Sequence, residues 1–487
     1  MNSSLSNRNG VDFSTAFIEP HIEDNFMTTA LFLRSALVSC TLLTAILMTG
    51  CATSLQTAGS TTVTPVGSQR PGLTGSVHGG QQPVSGATIQ LYAVSTSGYA
   101  AAATPLITPS SVTSGTGTYP VTTDANGNFT ISGDYTCPSG SYVYLTATGG
   151  NPGLSAGTNN TAIVIMAALG SCAAVKAGAS TTFASIQLNE VSTVAGAWAL
   201  SRFMSGPTAA GTSSTNATGL VNAFAAANNI DNLATGTAPG ATLPTGATVP
   251  VAEVNSLADI LAACINSSGA TTTGTACGTL FTAATPPGGT APADTLTAAL
   301  DIAQNPTNNV TTLYNLATSS SPFQPALTTA PANWLIGIHY TGGGLATPTA
   351  LAVDNSGDVW IANSNSVSEF SSTGAALSPS SGYRGGSLSS PSGIAIDLSG
   401  NAWISNSGNA SVTEMAPLGA SASNFTGGGL NQPSSIAIDG SGYIWVTNKG
   451  NNSVSQLSST GTALSPNVTG YTGAGLSQPV GIAINSH

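Results

Sequence analysis

Charge is what this sequence has least of. Only 5% of its 487 residues are Asp, Glu, Lys or Arg, with seven basic residues, 18 acidic ones and a formal net charge of −11, whereas about 25% charged residues is usual in soluble domains. Nucleic-acid binding requires a basic patch, and the sequence has none, which excludes nucleic acid as a partner. Ser, Thr, Asn and Gly supply the polarity instead, as suits short strands and tight turns.

Residues with catalytic or metal-binding spacing are also scarce. The chain has four histidines, and none of them lies between Tyr340 and Ser486. The sequence contains no Cys-x-x-Cys or Cys/His cluster, no nucleophile elbow and no phosphate loop. We therefore predict no metal, no cofactor and no catalytic residue, and we interpret Glu190 and Glu253 as first-turn helix residues rather than as acids or bases.

The N-terminal segment has the order of a secretion signal. Arg34 precedes an uncharged apolar run over residues 35–49, which is too short for a comfortable membrane span. The acidic residues among the first 26 positions do not suit a segment that precedes a signal, so we expect translation to begin at Met27. The segment also fits an ordinary secretory signal or a short membrane anchor.

The sequence MTGC at residues 48–51 resembles a bacterial lipobox, with Met in place of the usual Leu. The resemblance implies that 1–51 is a signal region and that Cys51 becomes the lipidated first residue of the mature protein. Ala52 follows the cysteine, which implies a location at the outer membrane or cell surface. The polar, aperiodic residues 52–70 are then expected to form a flexible tether.

Four cysteines remain beyond this signal region: Cys137, Cys172, Cys264 and Cys277. An even number in an exported protein favours disulfides. Cys264 and Cys277 are predicted to pair, since they are close in sequence and separated by a flexible polar segment. Cys137 and Cys172 are then paired by default, and four free buried thiols are the alternative.

Residues 71–150 read as a β-sandwich. The segments ATIQLYA, NFTIS and YVYLTA alternate apolar and polar residues, and DANG at 124–127 predicts a turn between two strands. The order GxVxG, PVxGAxIxLY, TDANGNF and YxLxATGG resembles the carboxypeptidase regulatory-like family. The resemblance implies a spacer or a contact module rather than a catalyst.

Residues 151–333 change to helical periodicity and predict an Ala-rich, mainly helical domain. The first helix carries Val191, Val194, Ala195, Trp198, Ala199 and Leu200 along one stripe. Four more helices are predicted from TGLVNAFAAANNI, VAEVNSLADILAACIN, ADTLTAALDIAQN and NNVTTLYNLA.

Repeats organise residues 334–487. Copies of one sequence motif begin at Pro348, Pro391 and Pro433, and a fourth copy, PVGIAIN, begins at Pro479. The spacings between these prolines are 43, 42 and 46 residues. Such a period marks supersecondary units that bury their apolar faces against one another. Four short strands with one tryptophan per unit is the pattern of a propeller blade.

Three residue types recur at fixed places in each repeat. The turn aspartates are expected to accept backbone N–H groups, and the tryptophans to hold the blades together. An asparagine ends the tryptophan-containing strand (the Trp strand) of each repeat. These asparagines either face a polar ligand or cap the strand end through hydrogen bonds between side chain and backbone. In repeat order these residues are Asp354, Asp397 and Asp439; Trp360, Trp403 and Trp445; and Asn363, Asn406 and Asn448.

The PxxIAIDxSGxxWVxN phrasing resembles NHL repeats of the streptogramin-lyase-like branch of β-propellers. The resemblance implies an incomplete propeller of about three blades, with NWLIGIHYTGGGL at residues 333–345 as the last strand of a preceding blade. Lyase members of that branch use a histidine and acidic metal ligands, but His339 and His487 match no motif position here. An open blade edge would favour self-association.

The chain is therefore predicted to be multidomain: an all-β sandwich, an Ala-rich helical domain and an incomplete NHL-type β-propeller. Its leading predicted function is that of an exported, lipid-anchored, non-catalytic binding or scaffold protein. The propeller surface would contact protein or glycan, and the lipid anchor would contact the membrane. The alternatives are an extracellular lyase or hydrolase and a truncated product that has lost its function.

Overall fold

A computed structural model of the protein describes residues 72–109, 119–131, 135–178, 185–317 and 321–484. The predicted signal region, Cys51 and the tether lie outside these residues. All described residues fall in one compact unit. Within them, no helix combines the length and the hydropathy that a membrane span requires.

The N-terminal strands are β1 (Leu73–Gly79), β2 (Gln82–Pro83), β3 (Thr88–Ala93), β4 (Thr104–Pro105), β5 (Val121–Thr122), β6 (Asn128–Ile131), β7 (Tyr142–Thr148), β8 (Val164–Ser171), β9 (Ile186–Leu188), β10 (Met204–Gly206), β11 (Ala209–Ala210), β12 (Ala247–Thr248) and β13 (His339–Tyr340). The helices are α1 (Cys172–Gly178), α2 (Glu190–Leu200), α3 (Ala217–Ile230), α4 (Val251–Ile265), α5 (Ala276–Ala284), α6 (Thr295–Gln304) and α7 (Val310–Tyr314). The repeat strands are β14 (Ala350–Val353), β15 (Val359–Ala362), β16 (Val367–Phe370), β17 (Pro391–Ile396), β18 (Ala402–Asn406), β19 (Ser411–Met415), β20 (Ala422–Phe425), β21 (Pro433–Ile438), β22 (Ile444–Asn448) and β23 (Ser453–Leu457), with a 3₁₀ turn at Pro417–Gly419.

Two sheets form the sandwich. One has the order β2-β1-β6 with β9 parallel to β1, and the other has the order β4-β3-β7-β8 with β5 also paired to β3. The predicted strands in ATIQLYA, NFTIS and YVYLTA are all present as β3, β6 and β7. The DANG turn is closed by Asp124, whose Oδ1 accepts the N–H groups of Asn126 and Asn128 at 2.8 Å each.

The predicted boundary at Gly150 does not separate the sandwich from the helices. β8 pairs with β7 along its whole length, and β9 pairs with β1, so strands of both sheets come from beyond that boundary. A single hydrophobic core contains Leu91 of the sandwich and Leu261 and Leu300 of the helices. The sandwich and the helices are therefore two parts of one packed structure.

The five predicted helices are present as α2, α3, α4, α6 and α7. α2 differs from the predicted amphipathic stripe because it is buried on nearly all sides, including the polar Glu190, Ser192 and Thr193. A capping box at its N-terminus supports these residues: Asn189 Oδ1 accepts the N–H of Ser192, and Ser192 Oγ accepts the N–H of Asn189. The helix lies in the centre of the core, where no polar face is needed.

Both disulfides are present. Cys264 in the last turn of α4 bonds Cys277 in the first turn of α5, across a sequence separation of 13 residues. Cys137, before β7, bonds Cys172, the first residue of α1, across a separation of 35 residues. The first bond joins two neighbouring helices, and the second joins a loop of the sandwich to the segment that follows β8.

The repeats form three antiparallel sheets, β14-β15-β16, β17-β18-β19-β20 and β21-β22-β23, which are called blades 1, 2 and 3. A regular fourth strand occurs in blade 2, whereas Tyr383 and Tyr471 make isolated bridges to Val367 and Val454 in blades 1 and 3. The described residues include no further complete blade. The prediction that residues 333–345 form the last strand of a preceding blade is wrong, because Trp334 lies in the core shared by the sandwich and the helices and β13 pairs with β12.

The blades pack face to face through two small apolar clusters. Trp360 of blade 1 packs with Ile394 and Ile404 of blade 2. Trp403 of blade 2 packs with Ile436 and Val446 of blade 3 in the same way. Both neighbouring blades contribute residues to each cluster, so the apolar face of one blade is buried by the next blade.

Candidate functional site

In each blade, the aspartate of the first turn accepts hydrogen bonds that join the turn to the tryptophan-containing strand. In blade 2, Asp397 Oδ1 accepts the N–H groups of Ser399 and Asn401 at 2.8 and 2.9 Å, and Oδ2 accepts Trp403 Nε1–H at 3.0 Å. The same three contacts are made by Asp354 and Asp439 in their own blades. The carboxylate thus joins the turn to the Trp strand six residues later, a contact that the repeat spacing alone did not reveal.

The asparagines at the ends of the tryptophan-containing strands are buried rather than exposed to a ligand. Asn363, Asn406 and Asn448 are each 0% exposed. Asn406 Nδ2 donates to Ser411 Oγ and Thr413 Oγ1 at 3.2 and 2.9 Å, and its Oδ1 accepts the N–H of Ser389 at 3.2 Å. The ligand-facing interpretation is therefore wrong, because these amides are buried and already bonded where the second and third strands meet the preceding loop. Their arrangement is that of the capping alternative.

The first turns of all three blades line one groove of about 590 Å³. Its carboxylates are Asp354, Asp397, Glu414 and Asp439, and the described residues that line it include no Lys, Arg or His. Leu398 stands at its rim with 87% of its surface exposed. The groove combines hydrogen-bond acceptors with an exposed apolar side chain, and it is the candidate functional site.

The pKa values of Asp439 and Glu414, two carboxylates of the groove, are shifted in opposite directions. The Trp445 indole N–H, together with the N–H groups of the turn, lowers the pKa of Asp439. Burial raises the pKa of Glu414, and the neighbouring charge of Asp397 raises it further. Glu414 Oε1 accepts one hydrogen bond, from Asn401 Nδ2 at 3.1 Å. Glu414 therefore accepts fewer hydrogen bonds from the blade than each turn aspartate does.

Blade 1 has a third carboxylate where blade 2 has an amide. Asp354, Asp358 and Glu369 place oxygens within 4.8 Å of one another, and this is the group of described residues that could share a metal ion. Burial is the main reason that the pKa of Glu369 is raised, and the charges of Asp358 and Asp354 add to it. Tyr383 Oη–H donates to Glu369 Oε2 at 2.9 Å. A proton or a cation can offset this concentration of charge.

In blade 2 the corresponding position is Asn401, whose Nδ2 donates to Asp397 Oδ2 and to Glu414 Oε1 at 3.0 and 3.1 Å. Sequence reasoning missed Asp358, Glu369 and Glu414 as members of these clusters. Aligning the repeats places Asp358 opposite Asn401 and Glu369 opposite Glu414, so both positions carry polar or ionisable residues in blades 1 and 2.

The helical part also contains buried carboxyl groups. Both oxygens of Glu190 accept the N–H of Gly80, at 2.8 and 3.0 Å, and burial raises the pKa of Glu190 to about 8. The carboxyl of Asp231 is buried without a hydrogen-bond partner, and burial raises its pKa well above the ordinary value. Glu190 and Glu253 both lie in the first turn of a helix, where the sequence placed them.

Three face-packed antiparallel sheets, each fastened by an Asp–Trp contact, define a propeller-type repeat protein. No family model matches the chain, and no curated protein matches it. Solved structures similar to it include a streptogramin B lyase at 21% identity and a virginiamycin B lyase from Staphylococcus aureus at 18%. A chain of a nidogen/laminin complex is similar at 17% identity.

Each of these similarities covers 26% of this chain, and 43%, 44% and 49% of the respective structures, with TM-scores of 0.23, 0.23 and 0.22. The chain thus matches less than half of each structure's own length. Similarity at this level supports neither an activity nor a ligand for this chain.

Proposed function

We propose that this chain is an exported, lipid-anchored, non-catalytic binding or scaffold protein that contacts protein or glycan through the groove at the first turns of its blades. The observation that carries the proposal is the composition of that groove. Its carboxylates accept hydrogen bonds, and its exposed Leu398 offers apolar contact. A ligand that donates hydrogen bonds, such as a hydroxyl-rich glycan or a basic protein segment, complements it.

The turn aspartates support a binding role rather than a chemical one. Asp354, Asp397 and Asp439 each hold two turn N–H groups and an indole N–H. A general base has to reach the proton it abstracts, and a carboxylate occupied by three structural donors is poorly suited to that task. The groove therefore offers a fixed surface whose shape is maintained by its own acidic groups.

The binding proposal is tested with the full mature chain on protein and glycan arrays, followed by affinity measurements on each ligand retained. Leu398→Asp should weaken binding at least tenfold, and Glu414→Gln should weaken it for ligands that donate to the carboxylate. Val468→Asp is the matched control, since Val468 is also 87% exposed but does not line the groove. Equal losses for Leu398→Asp and Val468→Asp would contradict the assignment of the groove.

Export and lipidation are supported by the MTGC sequence at residues 48–51 and by the two disulfides, which favour an oxidising compartment. In a bacterial host, the wild-type protein should partition with membranes, and Cys51→Ser should release it from them. Membrane association that is unchanged in Cys51→Ser would rule out the lipid anchor. Peptides from residues 1–26 in the intact precursor would rule out Met27 as the start.

A further inference from the structure

Strands β1 and β9 are parallel neighbours in the first sheet of the sandwich. Gly75 lies opposite Ile186, and Ser76 lies opposite Gln187. A Cβ at residue 75 would overlap the carbonyl oxygen of Ile186, so the glycine is what lets the two strands approach this closely. The side chains of the next pair, Ser76 and Gln187, meet on the other face of the sheet, because successive side chains of a strand alternate between its faces.

Ser76, Gln187 and His78 form a cluster on that face. Ser76 Oγ–H donates to Gln187 Oε1 at 2.5 Å, at the short end of the range for O–H···O hydrogen bonds. Ser76 Oγ also lies 3.4 Å from Nδ1 of His78, which is two residues along the same strand. Ser76 is buried, and His78 and Gln187 are partly buried. A hydroxyl is thus held against a carboxamide, with an imidazole beside it and little access for solvent.

The imidazole of His78 is suited to accept a proton. Burial lowers the pKa of His78, so at neutral pH the ring is uncharged and one of its nitrogens carries a free lone pair. In the tautomer protonated at Nε2, that nitrogen is Nδ1, which is the atom that faces Ser76 Oγ. Rotation of the hydroxyl redirects its hydrogen bond from Gln187 Oε1 to His78 Nδ1 without moving either strand.

We propose that Ser76 and Gln187 form an intramolecular ester that joins β1 to β9 covalently. Ser76 Oγ attacks Gln187 Cδ to form a C–O bond, and the hydroxyl proton passes to His78 Nδ1. His78 then returns the proton to Gln187 Nε2, the C–N bond breaks and ammonia leaves. One hydroxyl and one carboxamide become one ester and one ammonia, so the step needs neither an electron transfer nor a co-reactant.

Two features favour the ester over the starting amide. Strand pairing holds the hydroxyl and the carboxamide in one place, which makes the reaction intramolecular and gives the hydroxyl a high effective concentration. The ammonia that leaves is protonated and diluted in the solvent, so the reverse reaction is slow. Because Ser76 is only 6% exposed, water has little access to hydrolyse the product.

The ester would link residues that are 111 positions apart in sequence. β9 is followed directly by Asn189, the N-cap of α2, and α2 lies in the centre of the core. The bond would therefore fasten the first strand of the sandwich to the segment that leads into the helices. This role is independent of the groove at the blades, and Leu398→Asp should leave it unchanged.

Peptide mapping of the full mature chain, after reduction of its disulfides, tests the proposal. Cleavage after Lys176, which lies between Ser76 and Gln187 in sequence, separates the two residues unless they are linked. The two peptides should be recovered as one species, lighter than their summed masses by one ammonia. Ser76→Ala and Gln187→Ala should each give separate peptides.

Two further variants define the roles within the cluster. His78→Ala should form the linked species roughly a hundredfold more slowly after synthesis, since a positioned proton acceptor contributes at least about that factor. Ser185→Ala is the matched control, because Ser185 Oγ accepts from Gln187 Nε2 at 3.3 Å and touches the amide nitrogen rather than the carbonyl oxygen. It should leave the linked species unchanged.

Separate peptides of unaltered mass from the wild-type chain would overturn the proposal and leave Ser76 as an ordinary hydrogen-bond donor. This result is read from the wild type and does not depend on how any variant folds. A linked species that persists in Ser76→Ala would also overturn the proposal, since another nucleophile would then be responsible. Equal rates in the wild type and His78→Ala would overturn the role of His78 as proton acceptor.

Discussion

Replacing Asp397 with alanine tests how much the Asp–Trp contact stabilises a blade. The change removes the acceptor for the N–H groups of Ser399 and Asn401 and leaves the indole N–H of Trp403, which is 0% exposed, without a partner. Each lost turn bond is worth about 1 kcal/mol, and an unsatisfied buried donor costs about 1–3 kcal/mol. We expect Asp397→Ala to reduce the stability of blade 2 by about 3–5 kcal/mol.

Asp439→Ala is the matched control, because Asp439 makes the same three contacts in blade 3. Trp445 is partly exposed, so water can take over its indole N–H and the penalty for a buried donor falls away. The expected loss is therefore smaller, about 2 kcal/mol for the two turn bonds. The Trp403→Phe background isolates the indole contribution in blade 2, where Asp397→Ala should cost about 1–3 kcal/mol less.

The assay is native-state hydrogen exchange, which gives local opening free energies for the amides of β18 and β22 separately. A single unfolding midpoint would not suffice, because a chain of this size need not unfold in one step. Equal losses in Asp397→Ala and Asp439→Ala would refute the reasoning, as would an unchanged cost of Asp397→Ala in the Trp403→Phe background.

Three further predictions concern stability elsewhere. Burial raises the pKa of Glu190 to about 8, so its contribution to stability is present at acidic pH and is lost as the pH rises from about 4.5 through 8. In Glu190→Gln, the denaturant concentration at the unfolding midpoint should therefore depend less on pH over this range. Removing the Cys264–Cys277 bond with Cys264→Ser and Cys277→Ser together should cost about 3 kcal/mol in unfolding experiments. Gly429→Ala should destabilise blade 3 in hydrogen exchange, since Gly429 has a φ of +78° and a Cβ would overlap the backbone nitrogen of Gly470.

Periodicity predicted the helices and the repeated strands well, but it placed the domain boundary wrongly at Gly150. The reason is β8, whose sequence VIMAALGS is almost continuously apolar because the strand is largely buried. A short apolar run of this kind does not alternate and cannot be distinguished by pattern from a buried helix segment. α2 differs from its predicted pattern in the opposite way, since polar Ser192 and Thr193 are buried and donate hydrogen bonds to the carbonyls of Met166 and Asn189.

The candidate site was harder to predict than the fold. The positions of Asp354, Asp397 and Asp439 in turns followed from the repeat, but their convergence on one groove depends on how neighbouring blades pack. An asparagine at a strand end can either face solvent or cap the backbone, and only its burial decides, as at Asn406. Leu398 carried no signal at all, because a single apolar turn residue is common on protein surfaces.

The two clusters between the blades set the order in which the repeats come apart. Each cluster belongs to a pair of blades, so blade 2 is held from both sides, whereas blades 1 and 3 each share one cluster. Blade 1 is also held by the helical part, where Asn229 Nδ2 donates to the carbonyl of Thr373 at 3.4 Å. Unfolding of such an array begins where a unit has fewest neighbours and proceeds inward. Proteolysis under mild denaturation should therefore remove blade 3 first, and blade 2 should become sensitive only after it has lost that neighbour.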